Sequence, residues 1–255
     1  MINKSTTLSV IVPVYNEEFL VKSSLLRLRV LETSPFLTSV KIVVVDDCSQ
    51  DQTHTVLDQF QKSLKVESWD EKISWAFVKH KKNQGKGGAI RTGLKFADTT
   101  LTVIHDADLE YHPKDFLKMI PLFLEEEADA VFGSRYLRVG FKQTLSFWHS
   151  LGNRLLTLLC NLVSDLDTTD METCYKMVRT DLLKSIPLES SDFRIEPELT
   201  IKLAKRRIRL FEVPISYSAR SYQEGKKINW KDGIKALLAI LKFGVSNNIY
   251  QQDKQ

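Results

Sequence analysis

Short apolar runs rich in β-branched residues punctuate the first half of the chain: Leu8–Val14, Val40–Val45, Ser74–Lys79, Leu101–His105 and Ala130–Gly133. Several are apolar at consecutive rather than alternate positions, as a strand is when both its faces are buried. Between the runs, apolar residues return at helical spacing. Leu20, Leu25, Leu28 and Leu31 mark a helix over Glu17–Leu31, and others are predicted over Thr53–Leu64, over Gly87–Ala97 and after Pro113. Buried strands alternating with helices predict a parallel sheet covered on both faces.

The second half is less regular. Helices are predicted over Leu145–Leu162 and Ile195–Arg206, and a strand over Arg209–Tyr217. Asn229–Val245 reads as an amphipathic helix, with Ile234, Leu237, Leu238, Leu241 and Val245 on one face and Lys231, Lys235 and Lys242 around it. Such a face packs on the protein's own core or lies in a membrane interface. There is no internal repeat, low-complexity segment or linker. The pattern predicts one domain over 1–228 and an amphipathic helix and tail over 229–255.

Composition narrows the class. At 255 residues, with 43% hydrophobic and 27% charged residues, the chain has the length for a real core and the balance of a globular protein, which excludes disordered and fibrous classes. The net charge of +4 hides an asymmetry. Residues 201–255 carry 12 Lys and Arg against 4 Asp and Glu, whereas the first 200 carry 24 against 28. A basic C-terminal quarter suggests an anionic partner. The basic residues have no nucleic-acid-binding motif around them, so nucleic acid is not the expected one. Cys48, Cys160 and Cys174 have no zinc or disulfide spacing, which fits a reducing compartment. Leu8–Val14 is too short for a signal peptide, and no run of 18 apolar residues exists. The expected location is cytoplasmic, extending to the inner face of the membrane.

Open parallel sheets bind ligands beyond the carboxyl ends of their strands. Three predicted strands end in polar residues: Tyr15-Asn16-Glu17, Asp46-Asp47 and Asp106-Ala107-Asp108. Carboxylates two residues apart at a strand exit can face one crevice and suit a hard divalent cation, Mg²⁺ or Mn²⁺, with Glu110 of the same parity as a third ligand. Gly85-Lys86-Gly87-Gly88 opens a helix, where backbone N–H groups and Lys86 can meet phosphate; a plain tight turn is the alternative. From Ala130 to Ser164 there are four cations, Arg135, Arg138, Lys142 and Arg154, and no carboxylate. Arginine forks suit phosphate oxygens.

Seven ordered segments then carry a resemblance: Val10–Glu18 (VIVPVYNEE), Val43–Thr53 (VVVDDCSQDQT), Asn83–Gly93 (NQGKGGAIRTG), Asp106–Glu110 (DADLE), Gly133–Tyr136 (GSRY), Asp170–Lys176 (DMETCYK) and Glu212–Gly233. Together they resemble family 2 glycosyltransferases of the glycosyltransferase-A fold, and within them the dolichol- or polyprenyl-phosphate mannose or glucose synthases. The resemblance implies an α/β fold with a mostly parallel central sheet and helices on both faces. It implies that Pro13, Tyr15, Glu17, Val45 and Asp47 hold the nucleotide base and ribose. Asp106, Ala107 and Asp108, with Lys86 nearby, would hold the diphosphate through a divalent cation, with Glu110 also near the metal. Arg135, Arg220 and Lys226 match cations for donor diphosphate or acceptor phosphate, and Arg154 joins them from the carboxylate-free stretch. Asp108, Arg135 and Asp170 are the implied catalytic group.

The implied reaction is metal-dependent and inverting, moving glucose or mannose from UDP-glucose or GDP-mannose to a polyprenyl or dolichyl phosphate. A phosphate acceptor, with a second pKa of about 6, needs little base; for a hydroxyl acceptor Asp170 or Glu172 could serve. No Gln-x-x-Arg-Trp motif of processive synthases is present, and no C-terminal transmembrane pair, so a lipid acceptor implies a visit to a membrane surface or a membrane-protein partner. The alternatives are a family 2 transferase acting on a glycan or protein hydroxyl in cell-surface polysaccharide synthesis, and a non-catalytic nucleotide-sugar-binding relative. A sugar-phosphate nucleotidyltransferase is disfavoured, because Tyr15-Asn16-Glu17 stands where it would carry a glycine-rich loop.

Overall fold

The computed structural model describes residues 4–137, 147–219 and 230–246, with side chains for all of these but 147–149, 230 and 231. Seven strands form one sheet in the order β3-β2-β1-β4-β6-β5-β7. They are β1 (Thr6–Val14), β2 (Leu37–Asp46), β3 (Ile73–Lys79), β4 (Leu101–Ile104), β5 (Ala130–Ser134), β6 (Lys176–Arg179) and β7 (Leu210–Pro214). β6 runs antiparallel to both its neighbours, and the other pairs are parallel. The helices are α1 (Val21–Arg27), α2 (Thr53–Ser63), α3 (Gly85–Leu94), α4 (Phe116–Glu125), α5 (Phe147–Ser164), α6 (Thr180–Ser185), α7 (Ile195–Ala204) and α8 (Trp230–Val245). The predicted first helix is shorter than its apolar spacing suggested, passing into a 3₁₀ segment over Leu28–Thr33. β6 and α6 had no counterpart in the sequence reading.

The consecutive apolar residues of β1 serve two cores. Val10 and Val12 face a cluster that includes Leu25, Leu57, Phe60 and Phe116 from α1, α2 and α4. Ile11 faces another, with Ile90 and Leu94 of α3, Leu183 of α6 and Leu199 of α7. Burial on both faces therefore follows from the run itself. β4 stops pairing with β1 at Ile11↔Ile104, while β1 continues beside β2 to Val14↔Asp46. Pro13, without an N–H, occupies this one-sided stretch. The crevice between the ends of β1 and β4 lies where the strand order reverses, the usual ligand position in such sheets.

A third core lies under α5 and α8, where Cys160, Met171, Ile201, Ala239, Ile240 and Phe243 meet. Of the two places open to the Ile234–Val245 face of α8, the protein's own core is not the one it takes. Ala236, Ala239, Ile240 and Phe243 are buried, while Ile234, Leu238, Leu241 and Val245 are 49–82% exposed. The helix is apolar on two sides, and the side with small residues wins because it allows close approach; a Cβ on Gly244 would fall 2.9 Å from Val163 of α5. Among the described residues no helix is long and apolar enough to cross a membrane.

Candidate active site

The exits of β1, β2 and β4 each carry a non-glycine residue in the left-handed region: Asn16 (φ 51°), Cys48 (φ 62°) and Leu109 (φ 64°). Such backbone costs about 1–3 kcal/mol per residue and persists only where its surroundings enforce it. The enforcement is visible. Asn16 N–H donates to Ser49 Oγ (3.0 Å), Gln50 N–H to Asn16 Oδ1 (2.8 Å) and Glu17 N–H to Thr53 Oγ1 (2.8 Å). Arg27 Nη1 donates to the Leu109 carbonyl at 3.2 Å. Much of the Asp46–Thr53 motif thus braces the loop after β1.

A cavity of about 430 Å³ opens on this edge. It is lined by Pro13, Tyr15, Glu17, Asp47 and Asn83, by Lys86, Asp106, Ala107, Asp108 and Glu110, and by Arg135, Glu172, Cys174, Glu196 and Tyr217. A second cavity of about 830 Å³ shares Glu17, Asp108, Glu110, Tyr111 and Tyr217 and extends to Arg27, His112 and Lys114. Residues far apart in the chain therefore converge around Asp106–Glu110.

The start of α3 differs from the expected phosphate cradle. Asp47, which is buried, accepts from His80 Nδ1 (2.6 Å), Gln84 N–H (2.8 Å) and Gly85 N–H (2.7 Å). Gly87 N–H donates to the Ser191 carbonyl at 2.8 Å. The protein supplies its own acceptors to these donors, so the turn is a docking point for the Ser190–Ser191 backbone. A Cβ on Gly87 would lie 2.1 Å from the Ser190 carbonyl oxygen, and one on Gly85 2.2 Å from that of Ser191. Val45, expected at the nucleotide, is fully buried against Ala89 of α3 and borders neither cavity.

Lys86 reaches into the cavity, 2.9 Å from Asp106 Oδ2 and 3.0 Å from Glu196 Oε1. Burial works against its charge, yet the two carboxylates hold the ammonium well above the usual lysine range. Burial alone would raise the Asp106 carboxyl, and Lys86 brings it below its usual range. Glu196 also pairs with buried Lys176 at 2.5 Å. Lys176 in turn donates to the Met171 and Thr173 carbonyls at 2.8 and 2.6 Å, fixing the loop before β6. The sequence reading assigned no role to Lys176 or Glu196; Glu196 sits in the first turn of a predicted helix, and only the fold reveals its partners.

Arg135 grips Asp170 bidentately, with Nε and Nη2 each at 2.7 Å, and its backbone N–H adds a third bond at 3.0 Å. Asn153 Nδ2 of α5 donates to the same carboxylate at 3.2 Å. Asp170 is fully buried, so it anchors Arg135 rather than facing the cavity. Burial pushes the neighbouring Glu172 carboxyl up to about 7, with the Glu196 charge adding to the effect. Arg154 lies on the exposed side of α5, 5.7 Å over the Tyr136 ring, and does not line the cavity. Arg220 and Lys226 lie outside the described residues.

Among the described residues no three His, Cys, Asp or Glu side chains converge closely enough to hold a cation by themselves. Asp108 Oδ1 accepts from Glu110 N–H at 3.1 Å, and Glu110 Oε2 accepts from Tyr217 Oη at 2.9 Å. The three-carboxylate set expected from the sequence is therefore not assembled. Asp106 and Asp108 still border one cavity, and Mg²⁺ or Mn²⁺ is commonly held by one or two carboxylates plus substrate phosphates, a requirement that this pair fits.

Comparisons with known proteins bear on the same region. Residues 9–186 match the family described as Glycosyl transferase family 2. A UDP-N-acetylglucosamine–dolichyl-phosphate N-acetylglucosaminyltransferase of Methanococcus voltae is 26% identical over 92% of this chain and 95% of its own. A dolichol-phosphate mannosyltransferase of Pyrococcus furiosus is 26% identical over 86% of this chain and 58% of its own. Glucosyl-3-phosphoglycerate synthase from Mycobacterium tuberculosis, solved with Mn²⁺, UDP and glucosyl-3-phosphoglycerate, superposes with a TM-score of 0.67 at 16% identity, covering 95% of this chain and 82% of that one. That last likeness establishes the glycosyltransferase-A architecture.

Proposed function

The chain belongs to glycosyl transferase family 2, and on that premise we propose that it is an inverting transferase moving a hexose, glucose or mannose, from a UDP or GDP sugar to a polyprenyl or dolichyl phosphate. The observation that carries the choice of acceptor is the commitment of Asp170 to Arg135 through both carboxylate oxygens. A hydroxyl acceptor must give up its proton to a base, whereas a phosphate monoester, with a second pKa of about 6, arrives mostly ionised. Asp170 is spent as an anchor and is not free to act as that base, which favours the acceptor that needs none. Two relatives named for dolichyl or dolichol phosphate and matching most of this chain support the same choice.

In this reading the nucleoside lies at the Pro13, Tyr15 and Asp47 end of the cavity and the diphosphate beside Asp106 and Asp108. A divalent cation held there, Mg²⁺ or Mn²⁺, would neutralise charge on the leaving diphosphate. Lys86 holds Asp106 in place. Arg135, fixed by Asp170, presents a preoriented positive charge, and preorganised charge of this kind stabilises a leaving group as its charge grows. Arg220 and Lys226 would hold the acceptor phosphate.

A position at a membrane surface, on its inner face, belongs to the same proposal. Leu151, Leu155, Leu158 and Leu162 form a row on α5, 46–72% exposed, spaced like the exposed row Ile234, Leu238, Leu241 and Val245 of α8. The two helices pack together, and α5 also supplies Asn153 to the Arg135–Asp170 pair. Exposed apolar rows on a basic part of the chain suit an anionic bilayer surface.

The test is a donor panel of UDP-glucose, GDP-mannose, UDP-galactose and UDP-N-acetylglucosamine, with Mg²⁺ or Mn²⁺ and a short polyprenyl phosphate, scoring released nucleoside diphosphate. Release from UDP-glucose or GDP-mannose that needs both lipid and cation, and that Asp108→Ala abolishes, is the expected result. Release with a soluble saccharide but not the lipid overturns the acceptor. No release with any donor, alongside tight nucleotide binding, overturns turnover itself.

A further inference from the structure

The proposed donor cavity is bordered by an acid with an unsatisfied oxygen. Glu172 borders the cavity beside Arg135, and its Oε1 is buried with no hydrogen bond to the protein. An unsatisfied buried oxygen costs about 1–3 kcal/mol, and its neighbours hold it in place regardless. Lys176 ties down the carbonyls on both sides of it, at Met171 and Thr173, and Arg135 fixes Asp170 two residues earlier. The carboxyl thus borders the cavity from a rigid loop, where a ligand atom can meet it.

Its place in the cavity names that atom. Glu172 and Arg135 line the same cavity as Asp106 and Asp108, beside which the proposed donor places its diphosphate, and the sugar is bonded to that diphosphate. We propose that Glu172 is a specificity-determining residue that hydrogen-bonds a hydroxyl of the transferred sugar. The proposal rests on the donor assignment above. The groups facing Glu172 are Glu196 of α7, Lys176 of β6, Arg135 after β5 and Asp170 of its own loop. Burial and Glu196 raise its carboxyl to about 7, and a bound diphosphate brings further negative charge. The neutral acid is then favoured. It donates one hydrogen bond and accepts another, and a sugar hydroxyl can answer both.

The test measures binding of UDP-glucose and GDP-mannose against UDP and GDP by calorimetry, for the wild type, Glu172→Gln and Glu172→Ala. Glu172→Ala should weaken the sugar nucleotide about tenfold, as expected for one lost hydrogen bond, and leave the plain nucleotide unchanged. Glu172→Gln, which keeps a donor and an acceptor, should stay within about twofold. Wild-type affinity for the sugar nucleotide should fall as pH rises through about 7, and Glu172→Gln should remove that fall. Equal weakening of both nucleotides by Glu172→Ala would mark a structural role and overturn the proposal, as would no change in either. If Glu172→Gln binds normally but loses turnover as completely as Glu172→Ala, the residue is a general base and the proposal is wrong. If the wild type binds neither nucleotide, the donor assignment itself falls and takes this proposal with it.

Discussion

Removing the charge of Asp170 should release Arg135, and the cost can be worked out from the contacts. Asp170 is fully buried and accepts four hydrogen bonds, three from Arg135 and one from Asn153. Asp170→Asn keeps the shape but turns an NH₂ toward donors and leaves a guanidinium in a mostly buried site without its counter-charge. Breaking such a pair from one side costs about 3–5 kcal/mol. For a chain of this size that is a fall in Tm on the order of 10 °C. Urea unfolding gives the free energy, and a cycle with Arg135→Met gives the coupling. The double variant loses both charges together, so it should be less destabilised than the two single losses combined, by about 2 kcal/mol or more.

The same cycle read in turnover separates an anchor from a base. As an anchor, Asp170 acts only through Arg135, so Asp170→Asn should cost nothing further once Arg135→Met is present. As a base, it would add its own loss. Additive losses in turnover, or a destabilisation below about 1 kcal/mol for Asp170→Asn, would refute the anchor assignment and reopen a hydroxyl acceptor.

Three further outcomes are expected. His105 is buried between Ser24 Oγ and Tyr175 Oη, and burial lowers it to about 4; the folded state therefore holds it neutral, its contribution is intact above the unfolded value of about 6.5, and about 3 kcal/mol should be lost as pH falls from there to about 4. Urea midpoints across that range should show this loss in the wild type and not in His105→Asn, and parallel curves would refute it. Gly87→Ala forces a Cβ to within 2.1 Å of the Ser190 carbonyl oxygen, so it should cost about 2 kcal/mol or more by displacing backbone; an unchanged unfolding midpoint would show that the contact yields easily. Leu155→Asp with Leu238→Asp should abolish sedimentation with anionic vesicles while leaving nucleotide binding intact, and unchanged sedimentation would remove α5 and α8 from the membrane reading.

What was legible in the sequence divides along the range of the interactions. The buried strands β1 to β5 announce themselves by apolar runs, and the polar residues at their exits do gather on one edge, because a parallel sheet puts every carboxyl end on the same side. β6 was not legible. It is four residues long and antiparallel, opens on Lys176, and is recognisable only by its pairing with β4 and β5. That unseen strand delivers the Asp170–Cys174 loop to the cavity, so the partners of Asp170 and the neighbours of Glu172 were hidden with it.

The covered face of α8 was not legible for a different reason. Periodicity finds apolar rows but cannot rank two rows on one helix, and the packing of small Ala236, Ala239 and Gly244 settles which row is covered. The glycine turn at α3 shows a third kind of limit. Backbone N–H groups at a helix start attract anions of any source, and here the anion is Asp47 of the same chain. A motif identifies what a group can bind; the structure identifies what it has already bound. By that measure the groups left on the proposed donor cavity are Lys86 with Asp106, Asp108, Arg135 on its anchor, and Glu172. Of these, Glu172 has a buried oxygen with no hydrogen bond to the protein, which is why its variants test the proposed donor-sugar contact most directly.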